Sequence, residues 1–112
     1  MNYNIKNKKE MYFIYTVCES KKDARKLGKL LISKKKAVCI NIIDNTLSIY
    51  EEKNNIIETK ECILIIKTLL KSNEIFKFIN KNHKYKTPFI AHIKIKKTNG
   101  NYMDWAKKKL NK

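Results

Sequence analysis

The sequence predicts an α+β domain with the element order β-α-β-β-α-β and an additional C-terminal helix. Two observations support this prediction. Apolar residues alternate along the chain between strand-like runs and a helical spacing of three and four, and turn-forming residues fall between these segments. The 112 residues suffice for one hydrophobic core. We therefore expect residues 11–112 to form a single domain and residues 1–10 to form a flexible basic leader.

Four segments predict β-strands because they are rich in β-branched, aliphatic or aromatic residues. They cover residues 11–18, 37–50, 56–68 and 89–95. Asp44 and Asn45 predict a bend inside the second strand, and Asn54 with Asn55 predicts a tight hairpin turn before the third. Pro88 ends helical structure before the fourth strand.

Three segments predict helices because their apolar residues share one helical face. They cover residues 20–33, 70–82 and 102–109. Thr68 or Ser72 is expected to cap the second helix, and Tyr102 and Trp105 are expected to have core or structural roles in the third. Two right-handed β-α-β halves then give a four-stranded antiparallel sheet with helices on one face, the ferredoxin-like arrangement.

The hairpin formed by the second and third strands is too long for the predicted globule. Residues 56–68 would span about 43 Å as a strand, whereas a compact chain of this length has a diameter of about 35 Å. The overhang would expose Ile49, Tyr50, Ile56 and Ile57 unless another subunit covers them. We therefore expect a homo-oligomer formed by edge-to-edge pairing of these hairpins.

The net charge of +16 raises the hypothesis of a polyanionic partner. Arg25 is the only arginine, although phosphate and base recognition favour arginine. The third strand also lacks the aromatic residues that stack RNA bases. We therefore expect no nucleic-acid partner, while a composition biased towards Lys, Asn and Ile and selection for a polyanion both stay open. The longest apolar run, residues 62–66, is too short to span a membrane.

The three cysteines, Cys18, Cys39 and Cys62, lack the spacing of a disulfide framework or a zinc knuckle. Reduced thiols in the cytoplasm are expected, because residues 1–10 show no secretory signal, and organellar targeting stays open. No string typical of a phosphate-binding loop, zinc protease or catalytic triad occurs, so no enzyme is expected.

Cys39 and His83 are the strongest candidate site residues. Cys39 lies in an aliphatic strand, where it is either a small buried hydrophobe or a thiol reachable by soft metals. His83 follows the second helix, a position that suits a hydrogen-bonded imidazole as well as a ligand. Cys18 and Cys62 are expected to be structural, and His92 is expected to be either structural or on the surface.

Several strings resemble the CutA family of divalent-cation tolerance proteins, in the same order and at the same spacing. They are Tyr15-Thr16, residues 37–43, 48–50 and 64–68, His83-x-Tyr85-x-x-Pro88 and Tyr102-x-x-Trp105. The resemblance covers about residues 11–110. It implies a homotrimer with interlocking hairpins, an association with tolerance to copper and other divalent cations, and no enzymatic reaction.

The resemblance also implies roles for individual residues. Cys39 and His83 match positions proposed to contact metal, whereas the matches to the inter-subunit cleft are Asn41, Tyr50, Lys67, Tyr85 and Pro88. Lys86 and Phe89 replace acidic residues of the family pattern, which favours a soft ion such as Cu(I) over a hard cation. Copper or another divalent ion is the expected ligand, with no obligatory cofactor. The alternative is a trimer that resembles the PII-type signalling proteins and binds a small anion or partner protein in the same cleft.

Overall fold

A four-stranded antiparallel sheet with the strand order β2-β3-β1-β4 forms the centre of the fold. The computed structural model describes residues 10–110. The strands are β1 (Tyr12–Cys18), β2 (Cys39–Glu52), β3 (Asn55–Thr68) and β4 (Ile90–Lys94), and the helices are α1 (Lys21–Ser33), α2 (Ser72–Asn82) and α3 (Gly100–Leu110). This element order confirms the predicted α+β class. Within residues 10–110, none of the helices combines the length and apolar composition needed to cross a membrane.

The start of the domain includes Glu10. The Tyr12 hydroxyl donates to Glu10 Oε1 at 3.0 Å, and Lys94 Nζ lies 3.1 Å from Glu10 Oε2. Glu10 is therefore attached to the sheet and does not belong to a free leader. Residues 1–9 of the predicted leader, and residues 111–112, lie outside the described part of the chain.

The hydrophobic core lies between the sheet and helices α1 and α2. Ile14 of β1 and Leu64 and Ile66 of β3 are fully buried in one cluster with Leu31 of α1 and Ile75 of α2. These strand residues occupy alternate positions, as a sheet with one covered face requires. The remaining strand side chains therefore point to the opposite side.

That opposite side, called the open face below, is largely apolar. It is formed by Phe13, Tyr15, Val17, Ile43, Ile63, Ile65 and Ile93, which lie at the alternate register positions of the four strands. Phe13, Ile43 and Ile93 are 37%, 47% and 49% exposed. A single chain therefore leaves one face of its sheet in contact with water.

The β2–β3 hairpin extends beyond the packed body. The molecule measures 57 × 25 × 25 Å, and its radius of gyration of 15.9 Å exceeds the about 13 Å expected for a compact chain of this length. Ile49 and Ile56 are 61% and 76% exposed on the projecting part, residues 46–61, which we call the arm. The predicted overhang is confirmed.

Two local features of the hairpin follow from positive φ angles. The register shifts between Ile43 and Thr46, where Asn45 has φ 58°, which confirms the predicted bend as a β-bulge. The tight turn is formed by Lys53 and Asn54, with φ 51° and 66°. It therefore lies one residue earlier than predicted, and Asn55 already belongs to β3.

The start of α2 differs from the sequence expectation. The helix begins at Ser72, and its N-cap residue Lys71 makes no side-chain cap hydrogen bond. The Thr68 hydroxyl instead donates to the Lys36 carbonyl at 2.6 Å and accepts from the Leu70 N–H at 3.1 Å. Neither predicted residue caps the helix, because Thr68 is buried at the end of β3 and holds two backbone segments together.

Helix α3 covers one end of the sheet through a second small cluster. Ala106 is fully buried there against Met11 and Val38, and Tyr102 packs beside it. Trp105 lies outside the core, because it is 42% exposed and stacks on the Tyr102 ring at 5.3 Å between centroids. Successive residues of a helix point about 100° apart, so a buried Ala106 turns its neighbour outwards.

Ile75→Ala is expected to destabilise the fold by about 2–5 kcal/mol, because Ile75 is fully buried and its truncation leaves a cavity under the sheet. Lys77→Ala, on the exposed side of the same helix, should change stability by less than about 0.5 kcal/mol. Urea unfolding at fixed protein concentration measures both. Equal effects of the two substitutions would contradict the described packing of α2.

Candidate functional site

His83 lies at the C-terminal end of α2, where two hydrogen bonds hold its ring. His83 Nε2 is 2.8 Å from the Val17 carbonyl oxygen, and Nδ1 accepts from the Tyr85 N–H at 3.0 Å. Because Nδ1 accepts a hydrogen bond and Nε2 faces a carbonyl oxygen, the single ring proton is on Nε2 and the ring is neutral. Burial lowers the pKa of His83 and outweighs the hydrogen bond to Val17 and the charge of Asp23. Both ring nitrogens are thus engaged, and a metal could bind only by replacing one of these bonds.

Tyr85 connects His83 to β3. Its ring lies 5.2 Å from the His83 ring, and its hydroxyl donates to Glu61 Oε2. Burial, followed by the hydrogen bond to Glu61, raises the pKa of Tyr85. The phenol therefore stays protonated and positions the Glu61 carboxylate at the base of the arm.

Two buried thiols lie next to this group. Cys18 Sγ is 3.9 Å from His83 Nε2, and Cys62 donates to Asp44 Oδ1 at 2.9 Å. Burial raises the pKa of Cys18 to about 12, with a further contribution from the charge of Asp23. Burial and the hydrogen bond to Asp44 raise the pKa of Cys62 to about 11. Both thiols are therefore protonated at neutral pH, as the structural role expected for them requires.

A cavity of about 440 Å³ opens beside Cys18 and His83 between α1 and the end of α2. Its charged lining comprises Lys26, Lys81, Lys84 and Asp23. Lys84 pairs with Glu19 and lies 3.7 Å from Asp23 Oδ2, so part of this positive charge is already neutralised. The cavity nevertheless carries an excess of ammonium groups.

Cys39 lies in different surroundings at the other end of the sheet. It is the first residue of β2 instead of a mid-strand residue, it is partly buried, and it contacts the cluster under α3. Burial, with a smaller contribution from Cys39, raises the pKa of the neighbouring Tyr102. Lys67, the register partner of Cys39, places its Nζ 5.6 Å from the centroid of the Tyr102 ring. The half-buried Cys39 thus lies beside an aromatic ring and an ammonium group.

One chain does not bring Cys39 and His83 together. Cys39 is paired with Lys67, and His83 contacts Val17, the register partner of Ile63. Lys67 and Ile63 are about 13 Å apart along β3, whereas metal ligands lie about 2.0–2.3 Å from their ion. Across residues 10–110, no group of three or more His, Cys, Asp or Glu side chains could hold a metal ion. The donors that the structure describes in a single chain therefore do not form a complete metal site.

The residues matched to the inter-subunit cleft are also spread over the sheet. Asn41 is exposed near the Cys39 end, and Tyr50 lies on the arm with 47% of its surface exposed. Lys67 lies near the end of β3, whereas Tyr85 is bound to Glu61 in the middle of that strand. Pro88 is partly buried in the segment before β4. Within one chain these positions do not all form one site.

Sequence reasoning did not identify Glu61 and Asp44 as partners of Tyr85 and Cys62. Each carboxylate is separated from its partner by 18 or more positions in sequence. The pairing depends on strand register and on the bulge at Asp44, and no local pattern reports either of these. His92 is structural as expected, since its Nε2 lies 3.0 Å from the Leu70 carbonyl oxygen and its ring stacks on Tyr12.

Comparison with known proteins identifies the family. A family model described as "CutA1 divalent ion tolerance protein" matches residues 12–109. The chain belongs to the CutA1 family. The resemblance seen in the sequence motifs is thereby confirmed, and this chain is a CutA1-type divalent ion tolerance protein.

Curated relatives agree with this assignment. The divalent-cation tolerance protein CutA of Thermotoga maritima is 30% identical over 98 residues, covering 87% of this CutA1 chain and 96% of that protein. The corresponding protein of Thermus thermophilus is 29% identical over 89 residues, covering 79% and 86%. The chloroplastic protein CutA of Arabidopsis thaliana is 28% identical over 95 residues, and the match spans 52% of its length.

Solved structures show the same fold. CutA1 from Ehrlichia chaffeensis superposes with a TM-score of 0.88 at 27% identity, over 91% of this chain and 96% of that one. CutA1 from Oryza sativa gives a TM-score of 0.82 at 29% identity, over 89% and 93%. The predicted ferredoxin-like sheet with its long hairpin is therefore the fold of this family.

The stability of the protein is expected to fall as the pH drops below about 6.5, because an unfolded His83 binds a proton that the buried, neutral ring does not. The stabilisation is complete above the unfolded pKa and is lost as the pH falls through the lower folded pKa. His83→Gln removes this contribution and should flatten the dependence of Tm on pH between about 7 and 5. The unsubstituted protein and His83→Gln have the same carboxylates, so the contribution of these groups cancels in the difference between the two Tm profiles. Parallel Tm profiles would contradict the neutral, buried state of His83.

Proposed function

We propose that this CutA1 protein acts as a homotrimer that binds copper-type ions weakly and reversibly in the clefts between its subunits. The observation that carries the proposal is the arm, which projects from the body with Leu47, Ile49 and Ile56 more than half exposed. Exposed apolar side chains on an unpaired strand edge favour association with further chains.

The open face supports association independently of the arm. It contributes a row of apolar side chains from all four strands, and both β2 and β4 have a free edge. A β2 edge on one copy and a β4 edge on another are different surfaces, so their pairing is head-to-tail, and it forms a ring when the rotation between copies closes. Three copies would bury the open faces towards a common axis and the arms against neighbouring bodies.

The metal part of the proposal rests on donors that different chains supply. Cys39 offers a partly exposed thiol beside the open face, and soft sulfur donors favour Cu(I). His83 of another subunit adds an imidazole if the ion replaces the hydrogen bond to Val17. That exchange costs a hydrogen bond. Lys86 lies three residues from His83, and its positive charge opposes the binding of a cation, so the affinity for metal is weak. Copper or another divalent ion is cargo here and not an obligatory cofactor.

The alternative function is a PII-like trimer that binds a small anion or a partner protein through Lys67 and Tyr85. No contact favours it specifically, since the Lys67 ammonium group lies over Tyr102 and the Tyr85 hydroxyl is bound to Glu61. Thermal-shift screening of metals against nucleotides and carboxylate metabolites separates the two functions. We propose a cytoplasmic location, with the chloroplastic relative as the reason to include organelles in localisation experiments.

Light scattering coupled to size exclusion should give a mass three times the 13.3 kDa of one chain. Ile49→Lys, which places a charge on the apolar surface of the arm, should shift the protein towards monomer. Ile32→Lys is the matched control, because Ile32 is 40% exposed on α1, away from the arm, and should leave the trimer intact. A 13.3 kDa species for the unsubstituted protein at micromolar concentration would refute the trimer.

Competitive titration of Cu(I) into reduced protein tests the metal ligands. Cys39→Ser and His83→Ala should each weaken binding by at least about tenfold, since even groups that only support a metal ligand are worth that much. Cys62→Ser, which changes a buried thiol outside the cleft, should bind like the unsubstituted protein. Equal affinities in all four proteins would exclude the ligand assignment while leaving the trimer untouched.

A further inference from the structure

Cys18 and Cys62 face each other across the two central strands. They are register partners in the antiparallel β1–β3 pair, and both are buried on the helix-covered side, at 3% and 1% exposure. Directly opposed residues of antiparallel strands have Cα atoms about 4.5–5.5 Å apart. Disulfides join Cα atoms about 4.4–6.8 Å apart. The backbone therefore already holds this pair at disulfide distance.

The two thiols differ in access. Cys18 lines the cavity of about 440 Å³ beside His83, whereas Cys62 does not line it and donates its proton to Asp44. A small reagent in the cavity therefore reaches Cys18 first. Cys62 can react only after Cys18 has been modified, because its thiol does not line the cavity.

The positive charge of the cavity lining favours a negatively charged reagent. Lys26 and Lys81 line it without an ion pair within 4.0 Å among residues 10–110, and Lys84 contributes a third ammonium group that is already paired. Asp23 is the carboxylate of the lining, and it also accepts from the Ser20 hydroxyl at 3.0 Å. Excess positive charge in the cavity beside Cys18 attracts anionic reagents.

We propose that Cys18 and Cys62 form a thiol-modification site that exchanges with an anionic, low-molecular-weight disulfide and closes into a reversible intramolecular disulfide. The Cys18 thiolate, having released its proton to solvent, attacks one sulfur of the reagent and expels the first small thiolate. The Cys62 thiolate then attacks Cys18 sulfur, expels the second small thiolate and leaves its proton on Asp44, from which solvent removes it. Two protein thiols are oxidised and one small disulfide is reduced to two thiols.

The reaction also affects the base of the arm. Asp44 lies in the bulge between Ile43 and Thr46, where β2 bends, and the Cys62 thiol is its side-chain donor. A Cys18–Cys62 disulfide removes that donor from Asp44. Oxidation therefore changes the contacts at the point where the arm leaves the body.

Oxidised glutathione added to the folded Cys39→Ser protein tests the site, because this substitution leaves only the two buried thiols. The reaction is followed over hours by intact mass and by peptide mapping without reduction. We expect a mass loss of about 2 Da, the two hydrogens removed, and a covalent link between the Cys18 and Cys62 peptides. Adding Cys62→Ser should stop the reaction at a glutathione adduct on Cys18, and adding Cys18→Ser should abolish it.

A stable glutathione adduct in the Cys39→Ser protein, a first adduct on Cys62, or a link that forms only in denaturant would each overturn the proposal. The charge preference is tested with cystamine, a cationic disulfide. Relative to the denatured protein, the folded protein should favour oxidised glutathione over cystamine, and Lys26→Gln with Lys81→Gln should reduce this preference. An equal preference for the two disulfides, or a preference for cystamine, would contradict the proposal that the reagent is anionic.

Discussion

The β2–β3 hairpin extends beyond the packed body, and this mismatch in length controls how much apolar surface one domain can bury. Each strand has 14 residues, but the helices cover only the part near β1. The core ends where burial of β3 ends, at Cys62, and the bulge at Asp44 marks the same level on β2. Beyond this point the described chain leaves the apolar side chains of the arm uncovered, which is why the proposed site is divided between subunits.

The two ends of the sheet differ in chemistry for a common reason. At the Cys39 end, a thiol, an ammonium group and an aromatic ring lie together and are each only partly buried. At the His83 end, α1 and α2 bury two thiols and an imidazole, and burial keeps all three neutral. The Cys39 end suits weak capture of a soft ion, whereas the buried end suits slow thiol exchange through a cavity.

Several residues that sequence patterns had singled out have a different role in the folded chain. His83 fits the expected ligand position, yet its two hydrogen bonds give it a structural task within one chain. Trp105 fits an apolar helical face, yet it is turned outwards because Ala106 occupies the inward position. Thr68 fits a helix cap, yet it is buried and joins the end of β3 to the segment before β2. In each case tertiary contacts outweighed a local preference.

Periodicity, strand length and ordered motifs are properties of the chain, so they predicted the element order, the sheet class, the overhang of the arm and the family. The sequence pattern placed the hairpin turn one residue late, since Lys53 adopts a positive φ that its residue type does not favour. Other relations became visible in the folded chain alone: Cys18 opposes Cys62, Asp44 binds Cys62, Glu61 binds Tyr85, and Cys39 lies far from His83. These relations arise from strand register and helix packing, which join residues distant in sequence and leave no local pattern.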